Sequence, residues 1–239
     1  MRDWITRRRF LWLLTALLGL LVLVPADRAD AAGRVVTVGL ITAVYLAGFG
    51  VVLAEPRHRL AGLLFGLPAL AGAWSGAANP AAPHDAVVVA RHAAAVLFLV
   101  FVTYVVLRSV FRPRAVTVDD VAGALCGYLL IGAAFGHAFC LAEELAPGSF
   151  HGDDVFAAGP RDAGRVYLLL TYFSFVTLTT VGYGDITPAS GLTRGLTTVE
   201  AVVGQFYLAV LIGDLIGKRV AQTLAERPSG RPDHPPSDC

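Results

Sequence analysis

A run of nine residues in the last third of the chain combines hydroxyl side chains with two regularly spaced glycines. It covers residues 177–185 and reads TLTTVGYGD. Glycine adopts positive φ without penalty, so Gly182 and Gly184 allow successive backbone carbonyls to point toward one axis. A charge that enters hydrocarbon without solvation is very costly, and these carbonyl oxygens, with the hydroxyl of Thr180, can replace water around a cation. The run therefore predicts coordination of a cation by main-chain oxygen.

The segment before this run is apolar but too short to cross a bilayer. Residues 167–179 would form a helix of about 20 Å, whereas the hydrocarbon core is about 30 Å thick. The chain should therefore enter the membrane and return to the same side. Irregular backbone is tolerated at this depth only where protein buries it or water lines it, and a pore satisfies that condition.

One chain supplies one such strand, whose oxygens lie on one side of an ion only. About four strands are needed to surround the ion, and closed cyclic symmetry is the usual arrangement of identical subunits. We therefore expect a symmetric homotetramer. The helix before the strand would direct its carboxyl end at the pore axis, where its partial negative charge favours a cation. Asp162 could cap the start of this helix.

Residues 177–185 resemble the selectivity filter of potassium channels without a substitution. The resemblance extends over residues 121–220, which correspond to the two-helix pore module of that family. It implies a K+-selective channel rather than an enzyme, with K+ as the permeating ion and no cofactor. The implied filter residues are Thr180, Val181, Gly182, Tyr183 and Gly184. The first four of them are the implied K+ ligands.

The same resemblance implies roles for residues around the filter. The implied supporting residues are Asp185, Thr179, Tyr172, Phe173 and Glu200. The two aromatic residues among them would form a collar around Tyr183, whereas the glutamate would brace the filter from behind. Some bacterial relatives carry a glutamate at the position of Val176, so closure of the filter through a carboxyl pair is not expected here.

The helix after the filter should line the cavity below it. Gly204 matches the position at which this inner helix often bends in potassium channels, although close packing against the pore helix explains a glycine equally well. Spacings of 3, 4 and 4 place four residues on one helical face. These predicted cavity-lining residues are Gln205, Leu208, Ile212 and Ile216. Asp214 is expected to pair with Lys218 at i+4, with a position facing the inner vestibule as the alternative.

The composition excludes a soluble enzyme. The chain has 239 residues, of which 56% are hydrophobic and 15% charged, whereas roughly 25% charged residues are usual in soluble proteins. About 20 apolar residues span a bilayer, and the sequence contains six such candidate stretches. They are residues 10–24, 35–54, 60–78, 86–107, 121–141 and 197–217. The predicted fold is an all-α membrane protein with about six transmembrane helices, a re-entrant pore helix and a filter loop.

The chain divides into four predicted parts. Residues 1–9 form a cytoplasmic N-terminus, 10–114 a membrane region of about four helices, 115–220 the pore domain, and 221–239 a disordered cytoplasmic tail. Most of the 19 Lys and Arg residues then lie inside, as the positive-inside rule requires. We expect a multi-pass protein of the cell membrane with both termini in the cytoplasm.

The first four spans are less informative than the pore module. Residues 10–24 follow three arginines and end at a proline, so they fit a short anchor, which is favoured, or a cleaved secretory signal. The fourth span contains Arg91 and His92 as its only basic residues. Steep voltage gating is not expected, because one charge crossing 100 mV contributes only about 2.3 kcal/mol. His92 would either sense pH or extend toward the membrane interface, and the second alternative is favoured.

Two other functions fit the same residues. A regulatory membrane subunit could keep the filter without conducting, and a K+ transporter component could be built around a filter-like loop. Such transporters usually contain several loops per chain, whereas this sequence has one. The expected partners are K+, membrane lipid and further copies of the chain, and no nucleic acid.

Overall fold

The computed structural model describes residues 9–23, 31–78, 86–112, 116–152 and 163–225. Nearly all of them are helical. In chain order the elements are α1 (Arg9–Leu23), α2 (Ala31–Leu53), a 3-10 turn (Pro56–His58), α3 (Arg59–Ala78), α4 (Ala86–Val110), α5 (Val118–Leu145), β1 (Phe150–His151), α6 (Ala163–Leu178), β2 (Thr187–Pro188) and α7 (Gly191–Ala225).

Four of the described helices are long and apolar enough to cross a membrane. These candidate spans are Val35–Leu53, Ala86–Val110, Val118–Leu145 and Gly191–Leu224. The expectation of an all-α membrane protein is confirmed. Each of the six apolar stretches found in the sequence overlaps one helix, but α1 is a shorter apolar helix and α3 is not one of the four candidate spans. The total of six spans therefore stays a prediction.

Capping residues define where the two long helices of the pore module begin. At the start of α5, Asp120 donates its backbone N–H to the Thr117 hydroxyl, and the Asp120 carboxylate accepts the Thr117 N–H. Ser190 and Thr193 form a similar reciprocal pair at the start of α7. Such boxes satisfy backbone donors that the first helical turn leaves free. Both helix starts are thus fixed by local sequence.

Helix α5 lies at the centre of the molecule. It packs against α1, α4, α6 and α7, and one hydrophobic core includes Phe10 of α1, Val106 of α4, Cys126 of α5 and Tyr207 of α7. A second, smaller core surrounds Phe139 at the other end of α5. The N-terminal helices and the pore module therefore share one continuous packing interface.

The inner helix is longer than the sequence indicates. Helix α7 covers 35 residues, Gly191–Ala225, whereas residues 197–217 were expected, and at 1.5 Å per residue it is about 52 Å long. It therefore includes residues 221–225, which the sequence places in a disordered tail. The remaining tail residues lie outside the described part of the chain, and so does Asp162, the predicted cap of the pore helix.

A short antiparallel bridge, which the sequence did not predict, joins the two sides of the filter loop. Phe150 pairs with Pro188, and His151 with Thr187. Ser149 extends the bridge, because its carbonyl accepts hydrogen bonds from the Ala189 N–H at 2.8 Å and from the Thr193 hydroxyl at 2.9 Å. The segment after α5 is thereby tied to the segment between the filter and α7.

Candidate selectivity filter

The backbone of residues 180–184 alternates in hand. Gly182 and Gly184 have φ of 61° and 77°, and Thr180 has φ of 60°. Every second residue thus lies in the left-handed region, which is the pattern required to direct successive carbonyls to one side. A Cβ at either glycine would meet no atom within 4 Å in this chain. Backbone conformation, rather than space within the protomer, therefore requires glycine here.

The filter strand continues directly from the carboxyl end of α6. The Thr180 N–H donates to the Thr177 carbonyl at 2.9 Å, and the Val181 N–H donates to the Val176 carbonyl at 3.0 Å. Thr179 donates its hydroxyl to the Phe175 carbonyl at 2.6 Å. These bonds hold the first filter residues against the last turn of the helix, whose partial negative charge favours a nearby cation.

Two of the predicted supporting residues, Tyr172 and Asp185, meet beside the filter residue Tyr183. The ring of Tyr172 stacks on that of Tyr183, with centroids 6.5 Å apart and an interplanar angle of 9°. The Tyr172 hydroxyl donates to the Asp185 carboxylate at 2.9 Å. The strand is therefore attached to α6 at both of its ends.

Phe173 is placed differently from the expected collar. It is buried in the smaller core and packs edge-on against Phe139 and Phe150, with centroids 5.2 and 5.3 Å away. Its neighbour Tyr172 lies on another face of α6, since adjacent helical residues point about 100° apart. Within this chain Phe173 therefore supports the filter by fixing α6 on α5 rather than by touching Tyr183.

Glu200 lies behind the pore helix, fully buried between helices. Its Oε1 is in hydrogen-bond contact with the hydroxyl of Ser174 on α6. That hydroxyl also donates to the Gly132 carbonyl of α5 at 2.7 Å. The glutamate thus stands where the sequence placed a brace, and Ser174 is an additional member that the sequence did not indicate.

Gly204 lies where α7 approaches the pore helix most closely. A Cβ on this residue would stand 2.7 Å from the Leu178 carbonyl oxygen. The same oxygen accepts a hydrogen bond of 3.0 Å from the Tyr128 hydroxyl. Helix α7 continues unbroken through Gly204. This close approach favours the packing alternative, and the hinge stays a prediction.

The predicted cavity-lining residues are all exposed in the single chain. They lie on a face of α7 that does not contact the hydrophobic core. They are Gln205, Leu208, Ile212 and Ile216. On another face Tyr207 and Leu211 are buried in the large core.

The expected ion pair between Asp214 and Lys218 near the end of α7 is confirmed, since Lys218 Nζ lies 2.7 Å from an Asp214 carboxylate oxygen. Lys218 also donates to the Val110 carbonyl of α4 at 2.8 Å.

Two further residues hold the filter surroundings and were missed from sequence. The buried Glu143 carboxylate accepts the backbone N–H groups of Gly148 and Ser149, both at 2.8 Å. Gly152 has φ of 141°, and a Cβ there would lie 2.1 Å from the Asp185 carbonyl oxygen. Gly152 gives no local signal in the sequence, because its partner Asp185 is 33 residues further along the chain.

Comparison with known proteins gives matches over the same part of the chain. Residues 125–219 match the sequence profile of the family described as "ion channel". A probable potassium channel protein 2 of Methanocaldococcus jannaschii is 47% identical over 56 residues, which are 22% of this chain and 16% of that protein. Protein LctB of Bacillus caldotenax is 39% identical over 66 residues, or 26% of this chain and 48% of that protein. No solved structure matches the chain.

The family match covers one part of the structure. Residues 125–219, which match the ion-channel family profile, contain α6, the filter strand and most of α5 and α7. Both relatives are matched over less than half of their own length. Helices α1 to α4 lie outside the matched family region.

Proposed function

We propose that this protein is a K+-selective channel that conducts K+ passively down its electrochemical gradient. The observation that carries the proposal is the alternation of positive φ at Thr180, Gly182 and Gly184, directly after a helix that is too short to cross the membrane. The similarity to a probable potassium channel protein supports K+ as the ion. The proposed ligands are the main-chain oxygens of residues 180–183 with the Thr180 hydroxyl.

The proposed assembly is a homotetramer around the filter. In the single chain 52% of Val181 and 70% of Tyr183 are exposed, although both belong to the strand that would bind the ion. Helix α7 also exposes large apolar side chains near the filter, among them Val199, Val202 and Phe206. Neighbouring copies would cover these surfaces and supply the other sides of the ion site.

The membrane arrangement follows the charge pattern of the sequence. We propose six spans formed by α1 to α5 and α7, both termini in the cytoplasm of a multi-pass cell-membrane protein, and the filter at the outer side. The N-terminal region of residues 10–114 would surround the pore domain of residues 115–220. No voltage sensor is expected in this region, because α4 carries Arg91 and His92 near one end and Arg108 in its last turn rather than a basic residue at every third position.

Rubidium uptake into proteoliposomes tests conduction. Purified wild-type protein should take up Rb+ in preference to Na+, and Gly182→Ala should abolish this uptake, because the filter strand cannot keep φ of 61° without strain. Gly148→Ala is the matched control, since Gly148 has φ of 83° and open space around it but lies outside the filter. Its uptake should remain close to the wild-type value.

The same experiment separates the proposal from its alternatives. A regulatory subunit would give no filter-dependent uptake in a preparation of the pure chain. Uptake that continues only while a second solute gradient is maintained would identify a transporter component. A monomer in size-exclusion chromatography with light scattering, or equal uptake of Na+ and Rb+, would overturn the proposed tetrameric filter.

A further inference from the structure

Three helices meet at one hydroxyl group behind the pore helix. Ser174 Oγ of α6 donates to the Gly132 carbonyl of α5 at 2.7 Å and is in hydrogen-bond contact with Glu200 Oε1 of α7. Ser174 and Glu200 are both completely buried. The junction therefore joins the pore helix to the helices on either side of it in the chain.

The number of protons at this junction determines the charge of Glu200. A serine hydroxyl has one proton, a backbone carbonyl only accepts, and an ionised carboxylate also only accepts. With an ionised Glu200, one of the two contacts of Ser174 would place two oxygens together with no proton between them. Both contacts become hydrogen bonds if Glu200 carries a proton and donates it to Ser174, while Ser174 donates its own proton to Gly132.

The second carboxyl oxygen agrees with this assignment. Glu200 Oε2 is buried and has no hydrogen-bond partner among the described residues. An ionised carboxylate with a bare oxygen inside the membrane would carry a large desolvation cost, which a neutral acid avoids. The titratable group that faces Glu200 from α5 is Tyr128, and its hydroxyl proton is already donated to the Leu178 carbonyl.

We propose that Glu200 is a neutral carboxylic acid in the working channel, and that Glu200 and Ser174 are positioning residues that set the filter through the pore helix. The role in conduction rests on the function proposed above. Ser174 lies one helical turn before Leu178, and the last turn of α6 holds the first filter residues by backbone hydrogen bonds. A change in the depth or rotation of α6 is therefore transmitted directly to the ligand strand.

This assignment gives the filter a sensitivity to alkali. Loss of the Glu200 proton removes the donor of one hydrogen bond and introduces a buried negative charge with no partner on Oε2. Since three helices pack on this point, the pore helix must then move or admit water. Selective Rb+ uptake should fall by about tenfold or more as Glu200 ionises, while the protein remains folded.

Infrared spectroscopy measures the proton without requiring conduction. At neutral pH the wild-type spectrum should contain the carbonyl band of a buried protonated carboxylic acid, and Glu200→Gln should lose that band. Glu143→Gln is the matched control, because Glu143 is also buried but both of its carboxyl oxygens accept a backbone N–H group. No acid band should disappear in that variant. An unchanged acid band in Glu200→Gln would overturn the inference.

The dependence of uptake on pH tests the positioning role. The glutamine amide can donate to Ser174 and cannot ionise, so Glu200→Gln should keep selective uptake at neutral pH and should not lose it in alkali, unlike wild type. Ser174→Ala removes the acceptor and should lower selectivity at every pH. Identical alkaline profiles for wild type and Glu200→Gln would overturn the positioning role. Absence of uptake in wild type would refute the proposed channel function, and the infrared band would still decide the charge of Glu200.

Discussion

Thr180 occupies a backbone conformation that its side chain disfavours. Among the described residues, Thr180 is the only non-glycine residue with positive φ, and its φ is 60°. A β-branched residue in this region is a genuine outlier, and such strain costs of order 1–3 kcal/mol. Backbone bonds to α6 hold Thr180 in place, and a glycine would satisfy the same φ without cost. Retention of the threonine therefore indicates a use for its hydroxyl.

Replacement of Thr180 by valine tests that use at the scale of one atom. Valine is also β-branched, so Thr180→Val keeps the shape and the backbone strain and removes only the hydroxyl oxygen. We expect selective Rb+ uptake to fall by about tenfold, the cost of one lost polar contact of 1–2 kcal/mol, with an unchanged unfolding temperature. Thr180→Ser, which keeps the oxygen, is the control and should retain most of the uptake. Equal uptake by the valine and serine variants would show that backbone carbonyls alone bind the ion.

At the scale of elements, the distance between the inner helix and the pore helix depends on one glycine. A side chain at residue 204 would press on the Leu178 carbonyl oxygen, 2.7 Å from the added Cβ. That oxygen is also fixed by the Tyr128 hydroxyl, so it cannot retreat freely. The three helices α5, α6 and α7 therefore have little freedom at the level of the last pore-helix turn.

Gly204→Ala should consequently destabilise the pore module. Overpacking of a tight contact costs about 1–3 kcal/mol, and the resulting shift of Leu178 should lower the preference for Rb+ over Na+. Gly195→Ala is the matched control on the same helix, because a Cβ there meets nothing within 4 Å. Alanine at that position should be neutral or should stabilise by up to about 1 kcal/mol. Thermal unfolding in detergent, paired with Rb+ and Na+ flux measurements, checks both variants. The packing role of Gly204 is contradicted if Gly204→Ala is as stable and as selective as Gly195→Ala.

Features of this fold that depend on consecutive residues could be predicted from the sequence, whereas features that depend on contacts between distant residues could not. The alternating backbone of residues 180–184 could be predicted because its determinants are consecutive residues, and the helices because their apolar stretches are continuous. The β1–β2 bridge could not, because two-residue strands carry no periodicity and their pairing joins residues as far as 38 apart, as in Phe150 and Pro188. The extended end of α7 was also missed, because polar residues that continue a helix beyond the membrane resemble a disordered tail in composition. The brace role of Glu200 stays a prediction, and its contact with Ser174, which also binds the Gly132 carbonyl, emerged only from packing.

At the scale of the whole molecule, a buried polar contact connects the N-terminal helices to the pore module. Nδ1 of His92 on α4 lies 3.0 Å from Nδ1 of His137 on α5, and the His137 ring packs against that of Tyr167 on α6 at 4.8 Å. The expectation that His92 extends toward the membrane interface is wrong, because its side chain is 3% exposed. A contact between residues 45 apart leaves no trace in local sequence.

The neighbours of this pair determine its protons. An Arg91 N–H group lies 3.3 Å from His92 Nε2, and arginine only donates, so Nε2 of His92 accepts. The proton of a neutral His92 is then on Nδ1 and is donated to Nδ1 of His137, whose own proton is on Nε2. The contact is a directional hydrogen bond between the two rings, and it attaches α4 to α5.

A double-mutant cycle tests whether this bond links the two halves of the molecule. His92→Phe leaves a buried His137 nitrogen without its donor, and His137→Phe leaves the His92 N–H without its acceptor, so each should lower the free energy of unfolding by about 1–3 kcal/mol. The double variant removes both polar partners together and should lose clearly less than the sum of the two, since paired apolar replacement is close to neutral. Chemical denaturation in detergent gives the three values, and Thr15→Val on the exposed side of α1 controls for loss of an unrelated polar group. Additive losses would mean that the two histidines do not interact.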